Sequence, residues 1–382
     1  MYNLSSVRSL FHLCIFAISL MPPLAIGQSS IDITRMASED CTVFFAWTGE
    51  LGIDKSGNAT EQWLAQDEIQ ASVGIFRKAV DRYLELNPME PAEFNELLTK
   101  LPWLMMKHPF AIQVGNITLG ADPSSDPPLV EFAMVVELGK EASWAQTMLD
   151  KLNQKLADEA DEGQKIESVS INNKKLTKLI SFEDQPELLY GIVDGRLMVG
   201  FGDGSMNQLI KSLASPHADW LEQLKKDAQA ERVAGLFHLD MKKVWPLLGP
   251  LEADIPEFLH LSDFHSISYV MDLKKEASVA TTIVRCPEQP EGLLSILDVS
   301  PLKVTDVNEI PTGVTSANAI HLSIDKTWQL IKKISDQFDL KEIEQFVQNV
   351  EEDTGPPTKY VLYGGLPPGP IANPGRASLM AA

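Results

Sequence analysis

The chain has 382 residues, a net charge of −21 and 44% hydrophobic residues, which is apolar material for a sizeable core and, by length, for two domains. Its basic pairs (Lys174-Lys175, Lys225-Lys226, Lys242-Lys243, Lys274-Lys275 and Lys332-Lys333) are scattered among acids, which excludes a nucleic-acid partner, because phosphate binding needs clustered Lys and Arg. The same acidity disfavours adsorption of the chain as a whole to anionic surfaces, and three cysteines without a Cys-x-x-Cys spacing disfavour a redox or structural-zinc role.

At the N-terminus Arg8 precedes an apolar run from Phe11 to Leu20, and Met21-Pro-Pro-Leu-Ala-Ile-Gly27 follows, with Ala25 and Gly27 at the small-residue positions of a cleavage site. The pattern predicts a secretory signal peptide over 1–27. The run is shorter than the roughly 18–20 consecutive apolar residues that a bilayer span needs, and no later window reaches that length, so no stable membrane span is predicted. Cleavage after Gly27 would shorten the chain from 382 to 355 residues and, by removing Arg8 and no acid, take the net charge from −21 to −22. Cys14 lies inside the apolar run without the small neighbour of a lipidated cysteine. Cys41 and Cys286 then remain, either as one disulfide or as two separate thiols.

The body reads as α+β, with antiparallel or mixed sheets braced by amphipathic helices. Cys41–Trp47 predicts a strand, Thr60–Leu86 a helix, and Pro91–Lys100 a short helix opened by Pro91. Ala111–Leu119 and Leu129–Leu138 predict a strand pair separated by Asp122-Pro-Ser-Ser-Asp-Pro-Pro128. Trp144, Met148, Leu152 and Leu156 recur every fourth residue and place a helix over Glu141–Ala160 with one apolar face. Two hairpins follow, Ile166–Ser181 turning at Asn172-Asn173 and Leu188–Phe201 turning at Asp194-Gly195, since Asn, Asp and Gly tolerate the positive φ of tight turns. A helix is expected over Met206–Leu213, and Ser266–Leu273 with Ala277–Arg285 predicts a third hairpin. His238-Leu-Asp-Met-Lys-Lys-Val-Trp245 and His321-Leu-Ser-Ile-Asp-Lys-Thr-Trp328 share His, Leu, Lys and Trp at the same offsets. Each joins a strand (Val233–Leu239, Ala317–Leu322) to a helix that Asp240 or Ser323 suits as a cap, which predicts a duplicated strand–helix unit. The expected domains are 28–215, 216–350 with the repeat, and a Pro/Gly-rich tail over 351–382.

Several groups bear on chemistry. Gly200-Phe-Gly-Asp-Gly-Ser205 before a helix could offer N–H groups to an anion, or be a tight strand-to-helix turn capped by Asp203 or Ser205. Its G-x-G-x-G spacing is not the dinucleotide fingerprint. His260, Asp263 and His265 are metal-ligand types, but their spacing fits no common site and reads better as a polar loop. His238 and His321 read as strand-end residues satisfied by neighbouring backbone. The acidic runs at Asp158-Glu159, Asp161-Glu162, Glu183-Asp184 and Glu351-Glu352-Asp353 single out no acid, whereas glycoside cleavage needs one with a raised pKa in an apolar cleft. No Gly-x-Ser-x-Gly elbow is present, and neither Cys41 nor Cys286 has a nearby His in sequence. The seven tryptophans suit core packing better than a carbohydrate-stacking platform. The sequence therefore assigns no catalytic, cofactor-binding or metal residues and implies no cofactor.

The tail is the most specific segment. Gly365, Leu366, Pro367, Pro368, Pro370, Ile371, Asn373, Pro374 and Gly375 form a Gly-Leu-Pro-Pro-x-Pro-Ile-x-Asn-Pro-Gly loop made rigid by its prolines. It resembles the C-terminal signature of YceG-like endolytic murein transglycosylases. That resemblance implies a peptidoglycan partner, a following Ala-rich helix and an upstream catalytic glutamate with Phe-x-Asn-Arg-Leu and Gln-Ser-Asp-Pro-Thr type runs. Neither run occurs here, and Glu231 in Ala-Glu-Arg-Val-Ala-Gly-Leu-Phe237 is the nearest echo of the glutamate. The body faintly resembles exported bacterial families of unassigned function. The expectation is an exported, noncatalytic protein with a protein or cell-wall partner in the periplasm or outside the cell. The alternative is a transglycosylase-related cell-wall protein.

Overall fold

The computed structural model describes residues 33–49, 57–86, 92–118, 129–158, 165–180, 186–248, 257–275, 277–297, 317–320, 323–338, 345, 361–365 and 378–380. Residues 1–27, over which a signal peptide is expected, the tail residues 366–377 and the acidic run Glu351-Glu352-Asp353 lie outside them. The fold is α+β and divides into two compact units, Met1–Asp240 with Ile267–Ile283, and Met241–Ser266 with Val284–Ala382. The boundary expected at 215/216 falls inside the first unit.

The first unit is built on a ten-stranded sheet ordered β10-β9-β8-β1-β2-β3-β7-β6-β5-β4. Its strands are β1 (Val43–Trp47), β2 (Phe110–Thr118), β3 (Leu129–Glu137), β4 (Lys165–Ile171), β5 (Lys174–Ile180), β6 (Leu188–Val193), β7 (Arg196–Phe201), β8 (Val233–Asp240), β9 (Ser266–Leu273) and β10 (Ser278–Arg285). From β8 through β1 to β4 every neighbouring pair is antiparallel. Met241 N–H donates to the His265 carbonyl and Leu273 N–H to that of Arg232, at opposite ends of β8 and β9, so that pair is antiparallel too.

The period-2 alternation of the strands builds two cores. Phe44 and Ala46, Ala133 and Val135, and Met198 face one side, while Trp47, Phe110, Ile112, Met134, Val136 and Leu197 face the other. The first face is covered by α5 (Ser205–Ala214) and α6 (Asp219–Asp227), whose Leu209, Leu221 and Leu224 are fully buried. The opposite face takes Leu64 of α1 (Ala59–Leu64), Leu104 and Met105 of α3 (Ala92–Lys107), and Ala145 and Leu149 of α4 (Ala142–Asp158). Between α1 and α3 runs α2 (Asp67–Leu86).

Three local expectations change. The single helix Thr60–Leu86 is two helices, broken at Ala65 and Gln66 after Leu64 enters the core. The helix expected to stop at Lys100 runs through Pro102 to Lys107. Pro102 forfeits one backbone hydrogen bond, and the buried Leu104 and Met105 beyond it offset that loss. Asp219–Asp227 is a helix that the reading passed over, with Leu221 and Leu224 one turn apart. Both hairpin turns are as expected, with positive φ at Asn172 (49°), Asn173 (62°), Asp194 (51°) and Gly195 (78°).

In the second unit, β8 leads into the four-residue α7 (Met241–Val244), then a 3-10 turn at Trp245–Leu248. β11 (Ala317–Ile320) pairs antiparallel with β12 (Val361–Gly365), which pairs antiparallel with β13 (Ser378–Met380). The segment after the Pro-rich loop is thus a short strand where the resemblance implied a helix. The 15-residue α8 (Ile324–Phe338) is capped by Ser323, whose hydroxyl accepts from Lys326 N–H at 3.4 Å. The two proposed repeat units therefore differ in helix length, and His321 lies outside the described residues.

Candidate functional site

Buried polar groups concentrate where α1 meets β8 and β9. Asn58 caps α1 by accepting from the Thr60 and Glu61 N–H groups at 3.0 and 3.1 Å, while Glu61 Oε2 accepts from Asn58 N–H at 3.2 Å. This is a reciprocal capping box. Glu61 is fully buried, and the same Oε2 takes the Arg232 guanidinium at 2.5 Å. Asp272, also buried, accepts from the backbone N–H of Glu231 (3.0 and 3.1 Å) and of Arg232 (2.6 Å), so a side chain continues the ladder at the start of β8. Asn58 Nδ2 donates to the Lys274 carbonyl at 3.0 Å, and Ser278 Oγ lies 3.3 Å from Asn58 Oδ1.

Glu61 Oε1 and Arg232 Nε have no hydrogen-bond partner among the described residues. A carboxylate oxygen without a donor has the form of a general base, but at 0% exposure Glu61 cannot meet a substrate. The cluster acts as a clamp that fixes α1 to the sheet. Glu231 supplies only its backbone N–H to this clamp, and its side chain is exposed. An exposed carboxylate also lacks the apolar cleft in which a glycoside-cleaving acid sits.

A second cluster lies at the start of β2. His108 is 3% exposed, with Nε2 3.2 Å from one Glu141 oxygen; Lys107 Nζ donates to the other Glu141 oxygen at 2.7 Å. Burial lowers the His108 pKa, against the opposing pull of Glu141. Glu141 is held below the usual carboxylate range, first by the hydrogen bond from Lys107. On the other sheet face His238 shares a 2.8 Å hydrogen bond with the buried Ser268 hydroxyl and lies under Trp220, ring centroids 4.2 Å apart. Trp220 Nε1 donates to the Ser38 carbonyl and its ring meets the edge of Phe44. On the other face Tyr190 donates to Asn153 at 2.5 Å, and burial pushes its pKa up to about 12.

The Gly200–Ser205 turn is a tight strand-to-helix connection. Gly202 and Gly204 hold φ of 90° and 80°, and Gly204 is the N-cap, so neither Asp203 nor Ser205 caps α5. Buried Ser205 Oγ donates to the Gly202 carbonyl at 2.9 Å. A Cβ at Gly200 would sit 2.9 Å from Ser205 Oγ, so glycine lets α5 close on β7. Beside the turn is a shallow depression of about 140 Å³ lined by Val169, Ile171, Leu189 and Met206, with the Lys178–Glu187 ion pair at its margin.

In the second unit His260 Nε2 lies 3.2 Å from Glu291 Oε2, and Asp263 Oδ2 accepts from Glu291 N–H at 3.2 Å. His265 joins neighbouring segments through its backbone, donating to Arg285 and accepting from Met241. The polar-loop reading fits these contacts, and among the described residues no three His, Cys, Asp or Glu side chains could hold a metal ion. Cys41, which is buried, and Cys286 both remain thiols. Trp47 is buried, Trp103, Trp144, Trp220, Trp245 and Trp328 are partly buried, and Trp63 is 52% exposed. No family model matches the chain, and no curated protein or solved structure does.

Proposed function

We propose that this chain is an exported, noncatalytic binding protein that works through its surface. Export is supported by the Arg8, Phe11–Leu20 and Ala25/Gly27 pattern. Binding is supported above all by one observation: four of the six large hydrophobic side chains that stand exposed among the described residues (Trp63, Ile75, Tyr83 and Leu86) belong to α1 and α2. Single exposed apolar residues need no explanation, whereas their concentration on one helix pair marks an interaction surface. The clamp, the His108 cluster and the Trp220–His238 stack all join elements of the fold. Incubating residues 28–382 with purified sacculi should release no muropeptides; release with turnover overturns the noncatalytic reading.

A second reading rests on the tail residues 364–377 and makes the chain a transglycosylase-related cell-wall protein. It predicts 1,6-anhydro products that depend on one acidic residue. Failure of the purified chain either to bind or to cleave sacculi removes it.

A further inference from the structure

β4 is the outermost strand of the ten-stranded sheet. On its inner side it pairs with β5 through all seven of its residues, from Lys165↔Ile180 to Ile171↔Lys174, without a bulge. On its outer side no strand follows among the described residues. An edge strand directs the N–H and C=O groups of alternate residues outward, and native sheets guard such edges with proline, bulges or covering elements. β4 has no proline, and Lys165, Glu167, Ser168 and Ser170 are exposed, four of its seven residues. At the opposite edge only Ala280 and Thr282 of the eight residues of β10 are exposed.

Side chains alternate across a sheet, which sets Lys165, Glu167, Val169 and Ile171 on one face. Val169 and Ile171 pack against the core that α5 covers. They also form the outer wall of the depression beside the Gly200–Ser205 turn, with Leu189 and Met206 among its other walls. An apolar cavity of about 150 Å³ holds a benzene-sized group, so the depression of about 140 Å³ has room for one aliphatic or aromatic side chain. On the neighbouring strand Lys178 is engaged by Glu187 and Lys174 by Asp194, and β4 itself contributes one charge of each sign, Lys165 and Glu167.

We infer that β4 accepts an extended segment of a partner protein as an added strand, antiparallel like β5, β6 and β7 beside it, with an apolar side chain of that segment seated in the depression. The outward backbone groups of β4 select an extended chain, and the depression selects an apolar side chain on it. The two charges select its direction, because opposite charges directly across a strand pair attract and like charges repel. From its N-terminus the segment reads apolar, any, apolar, any, basic, any, acidic, these members lying opposite Ile171, Val169, Glu167 and Lys165 in turn. A second copy of β4 does not fit that pattern. Antiparallel registers that align the faces over at least five residues of β4 set Glu167 against Val169, Ile171 or another Glu167.

The inference adds a second surface to the binding reading above and rests on it, and the test separates the two. The peptide acetyl-Leu-Thr-Val-Thr-Lys-Thr-Glu-amide is titrated to about 1 mM into residues 28–382 and followed by isothermal calorimetry. Saturable binding is expected. Two further peptides carry backbone N-methyl groups at alternate residues, in opposite phase. The one whose methyl groups face β4 should bind at least about tenfold more weakly than the other. The K165E/E167K variant, altered only at exposed positions, should bind the parent peptide about threefold or more weakly and prefer a peptide with its Lys and Glu exchanged. No binding to the unaltered chain, equal affinity of the two methylated peptides, or no change of preference in the variant overturns the inference and leaves the α1–α2 surface of the binding reading as it stands. So does a concentration-dependent dimer that the charge exchange dissolves. Muropeptide release would count against the noncatalytic reading and leave the peptide result standing.

Discussion

Arg232→Met tests the clamp most sharply. It removes the one cation that touches Glu61 among the described residues; Glu61 is fully buried, and among those residues its Oε2 otherwise keeps only the Asn58 N–H. Breaking a buried ion pair from one side costs about 3–5 kcal/mol because the remaining charge is stranded. The Arg232 side chain is itself 32% exposed, which places the expected loss near the lower end, at about 3 kcal/mol. Glu61→Met should cost less, about 1–2 kcal/mol, because Asn58 still caps α1 through its own carbonyl oxygen and the stranded guanidinium can turn to water. The double variant should be no worse than Arg232→Met alone, a coupling of at least about 1 kcal/mol. Urea unfolding of residues 28–382 followed by Trp fluorescence measures all three. Additive losses, or an Arg232→Met cost under about 0.5 kcal/mol, would refute the clamp.

Other outcomes follow from the same contacts. Gly49→Ala should cost about 2 kcal/mol or more in urea unfolding, because φ there is 80° and a Cβ would meet the backbone of His108 at 2.5 Å; Gly195→Ala, at φ 78° in open space, should cost about 1 kcal/mol. Burial lowers the His108 pKa, so the unfolded chain binds that proton more tightly. Its contribution should be complete above about pH 6.5 and be lost as pH falls from there through the lower folded value. His108→Gln should flatten that part of the stability–pH curve, and an unchanged curve would contradict the assignment. Trp220→Ala removes the His238 stack, the Phe44 edge contact and the Ser38 hydrogen bond, and should cost about 3 kcal/mol by thermal or urea unfolding.

Much of the local structure was legible because short-range chemistry decides it. Asn172-Asn173 and Asp194-Gly195 named their hairpins, since Asn, Asp and Gly adopt the positive φ observed there more readily than other residues. The Asn58-Ala-Thr-Glu61 capping box was equally visible in principle, as a short polar residue three before a glutamate. Pro102 misled because a local rule about helix interiors was overruled by core contacts of Leu104 and Met105 with distant strands. The clamp could not be read locally at all, because Arg232 reaches Glu61 across 171 residues of sequence. Strand order was hidden for the same reason, β8 pairing with β1 across nearly two hundred positions. The apolar residues of α2 were present as spacing, but spacing alone does not distinguish a face that packs inward from one left on the surface.

The central claim, that an exported chain begins after a removable leader, is tested most directly by expressing the full-length protein in a secreting host, fractionating the cells and determining the N-terminus of the product. The account predicts a chain beginning at Gln28 in the exported fraction. An intact chain beginning at Met1 and retained in the cytoplasm would contradict it.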